Sequence, residues 1–257
     1  MKVVCLGCGS SSGTPTIGCT CAVCTSSDPR NRRLRSSALV EANDGTTFVI
    51  DTGPDFREQM LRCAAQRLDA VLYTHAHADH ANGLDDLRAF CFIHRRPVAV
   101  FGNRNTLAEL EARFRYAFSP PNGHWEKPSL AAHMVGGSFS LGKTRIEPIP
   151  VWHGGYMILG WRLGDFAYLT DVSHIPEESL ERLQGLQVLF LDCLRERPHP
   201  THLSLSGALH WAMQIKARRT FLIHMTHELE YRALASRLPQ GIAPAYDGLE
   251  VHIEESH

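Results

Sequence analysis

Short apolar runs recur along the chain, and many end abruptly at a carboxylate or an imidazole. Lys2–Leu6 is one such run. Ala38–Glu41 and Thr46–Ile50 are two more, separated by Asn43-Asp44-Gly45, a strong hairpin turn. Ala70–Thr74, Val98–Phe101, Val188–Leu191 and Thr220–Ile223 have the look of buried strands, and Ser138–Trp152 and the pair Ile158–Leu163 and Phe166–Thr170 read as hairpins. Helical spacing predicts Asp55–Arg67, with Phe56, Met60, Leu61 and Ala64 on one face, then Leu84–Phe92, Thr106–Ala117, Glu177–Leu183, Leu205–Ile215 and Glu228–Leu238. Gly7–Pro15 and Ser119–Pro128 are loops by composition. Strands come in both hairpin and strand–helix order, which predicts an α/β layered fold with mixed sheets.

Composition narrows the class. The chain has 257 residues, 44% hydrophobic and 21% charged, which excludes wholesale disorder. With no linker, low-complexity run or repeat, a single domain over 1–257 is expected. No apolar run approaches the ~18 residues of a membrane span, and the apolar start is too short for a signal-peptide core. A net charge of −1 argues against an electrostatic partner such as long nucleic acid. Fifteen histidines are a surplus that points to metal or acid–base chemistry. Eight cysteines without an export signal suggest a reduced, cytoplasmic setting, where clustered thiols favour metal.

The strongest motif is His75-Ala76-His77-Ala78-Asp79-His80, directly after a strand. In an extended segment His-x-His aims two rings the same way. Asp79 and His80 reach a second position nearby, so the motif suits two adjacent divalent ions, zinc, manganese or iron. A surface loop rich in histidine by chance is the plain alternative, against which stand the small fillers and the strand-end position. Six residues cannot close two coordination shells, and His153, Asp171 and His224 end three further apolar runs. Cys19-x-Cys21-x-x-Cys24, in a loop at about 16–28, offers three thiolates to a tetrahedral zinc, and His227 offers a fourth ligand. A redox pair or small core residues are the alternatives there. Arg30, Arg32, Arg33 and Arg35 form either a solvated charged segment or a clamp for a substrate phosphate. Cys5, Cys8, Cys63, Cys91 and Cys193 read as small buried hydrophobes, and His124-Trp125 as a possible pocket lining.

Together these residues resemble the metallo-β-lactamase superfamily over nearly the whole chain. The resemblance implies an αββα sandwich, mixed sheets with helices on both outer faces, and a dinuclear site at its rim. It implies one ion on His75, His77 and His153, another on Asp79, His80 and His224, Asp171 bridging them, and Asp51 orienting a ligand histidine. The cysteine loop, His224-x-x-His227 and Gly7–Pro15 resemble the branch that holds the PhnP-type cyclic phosphodiesterases and PqqB. That likeness implies a structural zinc on Cys19, Cys21, Cys24 and His227, remote from catalysis. It also implies a catalytic histidine in the loop before Leu205, best matched by His202 and less well by His199. Asp79 and His202 are thus the candidate catalytic residues, His202 as general acid. The implied reaction is hydrolysis of a small cyclic phosphodiester, a ribosyl 1,2-cyclic phosphate or a nucleoside 2′,3′-cyclic phosphate, by hydroxide bridging two metal ions. Relatives in this branch suggest a homodimer. Other readings of the same motifs are a lactonase, thioesterase or glyoxalase-type hydrolase, or a PqqB-like cofactor-biosynthesis protein. A tRNA-processing nuclease would need a long basic arm, which the sequence lacks.

Overall fold

Alternation along the strands divides the interior into two layers. In the computed structural model, which describes residues 1–120 and 126–254, Val3, Cys5, Ala38, Val40, Phe48 and Ile50 bury into one core, while Val4, Leu6, Leu39 and Val49 bury into another. Successive strand side chains point to opposite faces, so a strand apolar at both parities must be covered on both sides.

The first sheet contains β1 (Lys2–Gly7), β2 (Ser37–Glu41), β3 (Thr47–Ile50), β4 (Ala70–Leu72), β5 (Val98–Gly102), β6 (Leu130–Met134) and β14 (Glu250–His252), in the order β14-β1-β2-β3-β4-β5-β6. The second contains β7 (Phe139–Leu141), β8 (Thr144–His153), β9 (Tyr156–Leu163), β10 (Phe166–Leu169), β11 (Val188–Asp192), β12 (Arg219–Ile223) and β13 (Ile242–Pro244), in the order β13-β12-β11-β10-β9-β8-β7. Helices α1 (Phe56–Arg62), α4 (Arg104–Arg113) and α5 (Arg115–Phe118) cover the first sheet, and α6 (Glu177–Glu181), α7 (Leu205–Ile215) and α8 (Tyr231–Ala235) cover the second. The short helices α2 (Ala78–Ala81) and α3 (Arg88–His94) complete the set among the described residues. This is the αββα sandwich.

Several elements differ from the sequence pattern. The helix predicted to Arg67 stops at Arg62, with Ala64 in the left-handed region (φ 50°). Its Leu61 is exposed, and Gln59 is buried instead, donating through Nε2 to Arg35 O at 2.9 Å. The segment predicted as Thr106–Ala117 is two helices broken at Phe114. Helix α8 covers only the middle of Glu228–Leu238, capped by the Glu230 carboxylate on Ala233 N. Strands β6, β13 and β14 were not signalled: they are short and carry alanine, proline or charge in place of β-branched alternation. His124 and Trp125 lie outside the described residues.

Direction decides where chemistry can gather. β3 and β4 pair in parallel, as do β10, β11 and β12, and β8 runs the same way as β10 because each is antiparallel to β9. Their C-terminal ends meet at one rim, where Leu159 N of the second sheet donates to Thr74 O of the first (3.1 Å). Such an edge is where open α/β sheets place ligands.

Candidate metal centre

Six strand ends deliver the rim's polar side chains. Asp51 follows β3, the His75–His80 segment follows β4, His153 and Asp192 end β8 and β11, and Asp171 and His224 follow β10 and β12. Asp51, Asp171 and His224 all adopt positive φ, 61°, 58° and 58°. A non-glycine residue there carries about 1–2 kcal/mol of strain, and such strain collects at functional sites. The left-handed step turns each side chain out of the strand's alternation and into the rim. Gly53 serves the same end: a Cβ on it would collide with the carbonyl of Asp79.

Two ligand sets form here. His75, His77 and His153 bring their ring nitrogens within 4.8 Å of one another, and Asp79, His80, Asp171 and His224 do the same with one atom each. His80 Nε2 is 3.2 Å from Asp79 Oδ2 and 3.1 Å from Asp171 Oδ2, and His224 Nε2 is 3.4 Å from the same Asp171 oxygen. Donors 2.0–2.1 Å from a shared ion stand about 3.0–3.4 Å apart, so these spacings are those of a coordination sphere. Asp171 also groups with His153 and His202, its Oδ1 facing His202 Nε2 at 3.9 Å, so it stands between the two sets. Among buried polar atoms, His80 Nε2 and both ring nitrogens of His224 have no hydrogen-bond partner. Orphaned buried nitrogens aimed at carboxylates are what a divalent cation would satisfy. The donors fit two such ions.

Neighbouring groups orient the rings. His80 Nδ1 donates to Asp51 Oδ2 at 2.7 Å, and Thr74 N and Oγ1 donate to the same carboxylate at 2.8 and 2.7 Å. His153 Nδ1 donates to Thr201 O at 2.9 Å. Each bond fixes a tautomer and leaves the other nitrogen for the site. Asp51 thus stands where the resemblance put it, against His80. The titration behaviour divides by set. Burial, then the charge on His80, holds His75 well below the usual imidazole range, and burial lowers His153 as well. Burial also pulls on His80 and His224, but in both the carboxylates, Asp171 foremost, reverse it and raise proton affinity. Burial pushes Asp79 and Asp171 up, yet the histidine charges bring both below the carboxylate range.

Asp192 is the functional residue that strand pattern alone did not single out. It is fully buried, and its Oδ1 lies 3.4 Å from His202 Nδ1 and 3.6 Å from His224 Nδ1. Asp171 N donates to Oδ1 and Leu203 N to Oδ2, so the carboxylate cannot turn away. The signal was present: Asp192 closes an apolar strand just as Asp51 and Asp171 follow theirs. His202 stacks on His224 with ring centroids 4.8 Å apart, and His199 lies farther out, 5.1 Å from His202.

The second cluster lies three residues beyond His224. Cys19, Cys24 and Cys21 hold their Sγ atoms 3.2, 3.3 and 3.6 Å from His227 Nδ1, the spacing of a tetrahedral S₃N zinc site. A backbone N–H from Cys24 brings the Cys21 thiol down to about 6, suiting it to thiolate ligation. Three of the arginines after the loop are engaged within the fold. Arg33 is buried and donates to Thr226 O and Leu229 O, Arg30 pairs with Asp28 and lies over Tyr231, and Arg35 pairs with Asp55. Arg32 is exposed. Cys63 is only half-buried, unlike Cys5, Cys8, Cys91 and Cys193.

Known proteins agree with this architecture. The model of the β-lactamase superfamily domain matches residues 46–225. A crystal structure described as a new diphosphatase from the PhnP family is 43% identical, with a TM-score of 0.91, covering 97% of this chain and 96% of that one. A Porphyromonas gingivalis protein named octanoyltransferase is 38% identical over 259 residues, 99% of this chain, and the chain spans only 52% of that relative's length. Zn²⁺-bound PqqB from Methylobacterium extorquens shares the fold at 19% identity, with a TM-score of 0.79 over 98% of this chain and 100% of that one. No helix among the described residues is long and apolar enough to cross a membrane. The chain belongs to the β-lactamase superfamily, with the metallo-β-lactamase sandwich.

Proposed function

We propose that the chain hydrolyses a small phosphodiester, with a ribosyl 1,2-cyclic phosphate or a nucleoside 2′,3′-cyclic phosphate as substrate. The observation that carries this reading is His202. Its ring stacks on His224, its Nδ1 faces the buried carboxylate of Asp192, and its Nε2 lies 3.9 Å from Asp171 Oδ1, the carboxylate that groups with members of both ligand sets. Two divalent ions, zinc, manganese or iron, bound to the His/Asp sets would supply Lewis acidity and an activated water near neutral pH. A structural zinc would sit on Cys19, Cys21, Cys24 and His227.

The residues do the rest. Asp192 faces His202 Nδ1 and orients the ring, so that the imidazolium form carries its second proton at Nε2, on the side of Asp171. As the new P–O bond forms and the ester P–O bond breaks, the leaving oxygen takes that proton. Asp51 and Thr201 O keep His80 and His153 from rotating. A five-membered cyclic phosphate is strained, so opening it lowers the barrier. The PhnP-family diphosphatase favours a second reading, cleavage of a phosphoanhydride, which needs the same groups. The octanoyltransferase name belongs to a relative roughly twice as long, so it is not carried over.

A panel tests this: adenosine 2′,3′-cyclic phosphate, a ribosyl cyclic phosphate, a dinucleoside diphosphate, a lactone and a thioester, with metal content measured on the same sample. Turnover of the cyclic phosphates is expected. Turnover of the diphosphate alone selects the second reading, and of the lactone or thioester alone rejects both. His202→Ala should lower phosphoester turnover about 10²–10⁴-fold with bound metal unchanged.

A further inference from the structure

The β8–β9 hairpin carries more than a ligand. It turns over Gly154-Gly155 alone, and His153 and Tyr156 are directly opposed across it. Opposed residues leave the same face of a sheet, their Cβ atoms about 4.5–5.5 Å apart. His153 faces the centre, its ring 5.3 Å from that of His77 and 4.8 Å from that of His202. Tyr156 therefore stands at the hairpin end on the same face as His153, beside a candidate ligand. It is 74% exposed, while Tyr73 and Tyr168 are fully buried. No described residue stacks on its ring or bonds its phenol.

The ring's mount is rigid. Gly154 N donates to Ser173 Oγ (2.9 Å), Trp152 N to His174 O (2.9 Å), and Asn103 Nδ2 to Met157 O (3.5 Å). Gly154 has φ +59°, and a Cβ there would meet Thr201 Cγ2 at 2.7 Å, so the tip packs closely on the loop that carries His202. A large, flat, uncovered ring on a fixed backbone loses little entropy when a ligand stacks on it. Trp152 and Met157, the neighbouring opposed pair, point to the other face.

We propose that Tyr156 is a specificity-determining residue: the aromatic base of a nucleoside phosphate stacks on its ring while the phosphate lies at the metal centre. This rests on the phosphoester reading and narrows its substrate class to nucleosidic esters over base-free sugar phosphates. In a nucleoside phosphate one ribose separates the base from phosphorus, which matches a platform next to a ligand rather than on one. Stacking on an aromatic ring accepts any base.

Calorimetric binding of adenosine monophosphate and ribose 5-phosphate to the metal-loaded protein tests it, with KM values for adenosine 2′,3′-cyclic phosphate and a ribosyl cyclic phosphate alongside. Tyr156→Ala should lower the preference for adenosine monophosphate over ribose 5-phosphate about 10- to 100-fold and shift the KM ratio equally. Tyr156→Phe and Tyr156→Trp should keep the preference, as should Met157→Ala on the opposite face. Equal losses for both ligands, no loss for either, or a Phe variant as impaired as the Ala variant overturns the proposal. So does a change from dimer to monomer in Tyr156→Ala that accounts for the loss. Phosphoester cleavage without base preference refutes the Tyr156 platform alone. Tyr156-dependent nucleotide binding without phosphoester turnover refutes the hydrolase reading instead.

Discussion

At one cluster, three ligands come from the single loop segment Cys19–Cys24 and only His227 is remote. At the other, His75, His77, Asp79, His80, His153, Asp171 and His224 arrive from four strand ends and are mostly buried. The first is made of sulfur, half-exposed and backed by Arg33, whose guanidinium holds Thr226 O next to His227. The second is made of nitrogen and oxygen, includes left-handed residues at Asp171 and His224, and is braced by Asp51, Asp192 and Thr201. Closed thiolate sites hold chains together, whereas strained, hydrogen-bonded carboxylate–imidazole sites leave positions open for chemistry. Segment 224–227 supplies a histidine to each, so the two clusters share one turn of chain.

Breaking each cluster in turn should separate the two roles. The largest effect is expected from Asp171→Asn, which removes the carboxylate between the two ligand sets. Turnover should fall by at least about 10³-fold, over 4 kcal/mol in barrier, with loss of active-site metal and retention of the S₃N zinc in metal analysis. Cys24→Ser should do the opposite: one zinc equivalent lost, stability lowered by about 3–5 kcal/mol and melting by about 10–15 °C in calorimetry, the His/Asp metals retained.

Asp247 sharpens the structural side, because it accepts from Cys8 N and Leu34 N and so anchors the segments flanking the cysteine loop. Burial pushes its carboxyl up to about 6, against about 3.9 in an unfolded chain. The folded state therefore takes up this proton first as pH falls. Its ionisation weakens the fold as pH rises from about 4 to 6, the loss being complete above 6 and absent below 4. Urea titrations should find wild type gaining up to about 3 kcal/mol relative to Asp247→Asn between pH 7 and pH 4. The smallest effect is expected from Asp192→Asn, which leaves every ligand in place but loosens His202 and His224. A 10- to 100-fold loss in kcat or metal affinity should follow, measured by kinetics and metal titration.

Legibility in the sequence tracked locality. His75–His80 and Cys19–Cys24 were readable because their spacing alone brings ligands together. His153, Asp171 and His224 were visible only as strand ends, and their convergence comes from parallel pairing of β10, β11 and β12 and the rim contact between sheets. Asp192 was overlooked because its partners, Leu203 N and His202 Nδ1, come from a loop whose path no local pattern dictates. Among the arginines after the cysteine loop, Arg33 is a buried strut, which neither reading of the segment named, because an arginine's burial follows from the carbonyls that tertiary folding offers it. Helix α1 stopped short for a similar reason, because Gln59 found a tertiary partner while Leu61 found none.

The most direct test is anomalous scattering at the metal edge from crystals grown with zinc or manganese, paired with metal analysis of the same protein. Two peaks should lie within the His/Asp cluster, one by His75, His77 and His153, the other by Asp79, His80 and His224, with Asp171 touching both. A third should lie amid Cys19, Cys21, Cys24 and His227. A fully loaded crystal with a peak at the cysteines and none, or only one, at the His/Asp cluster would contradict the account.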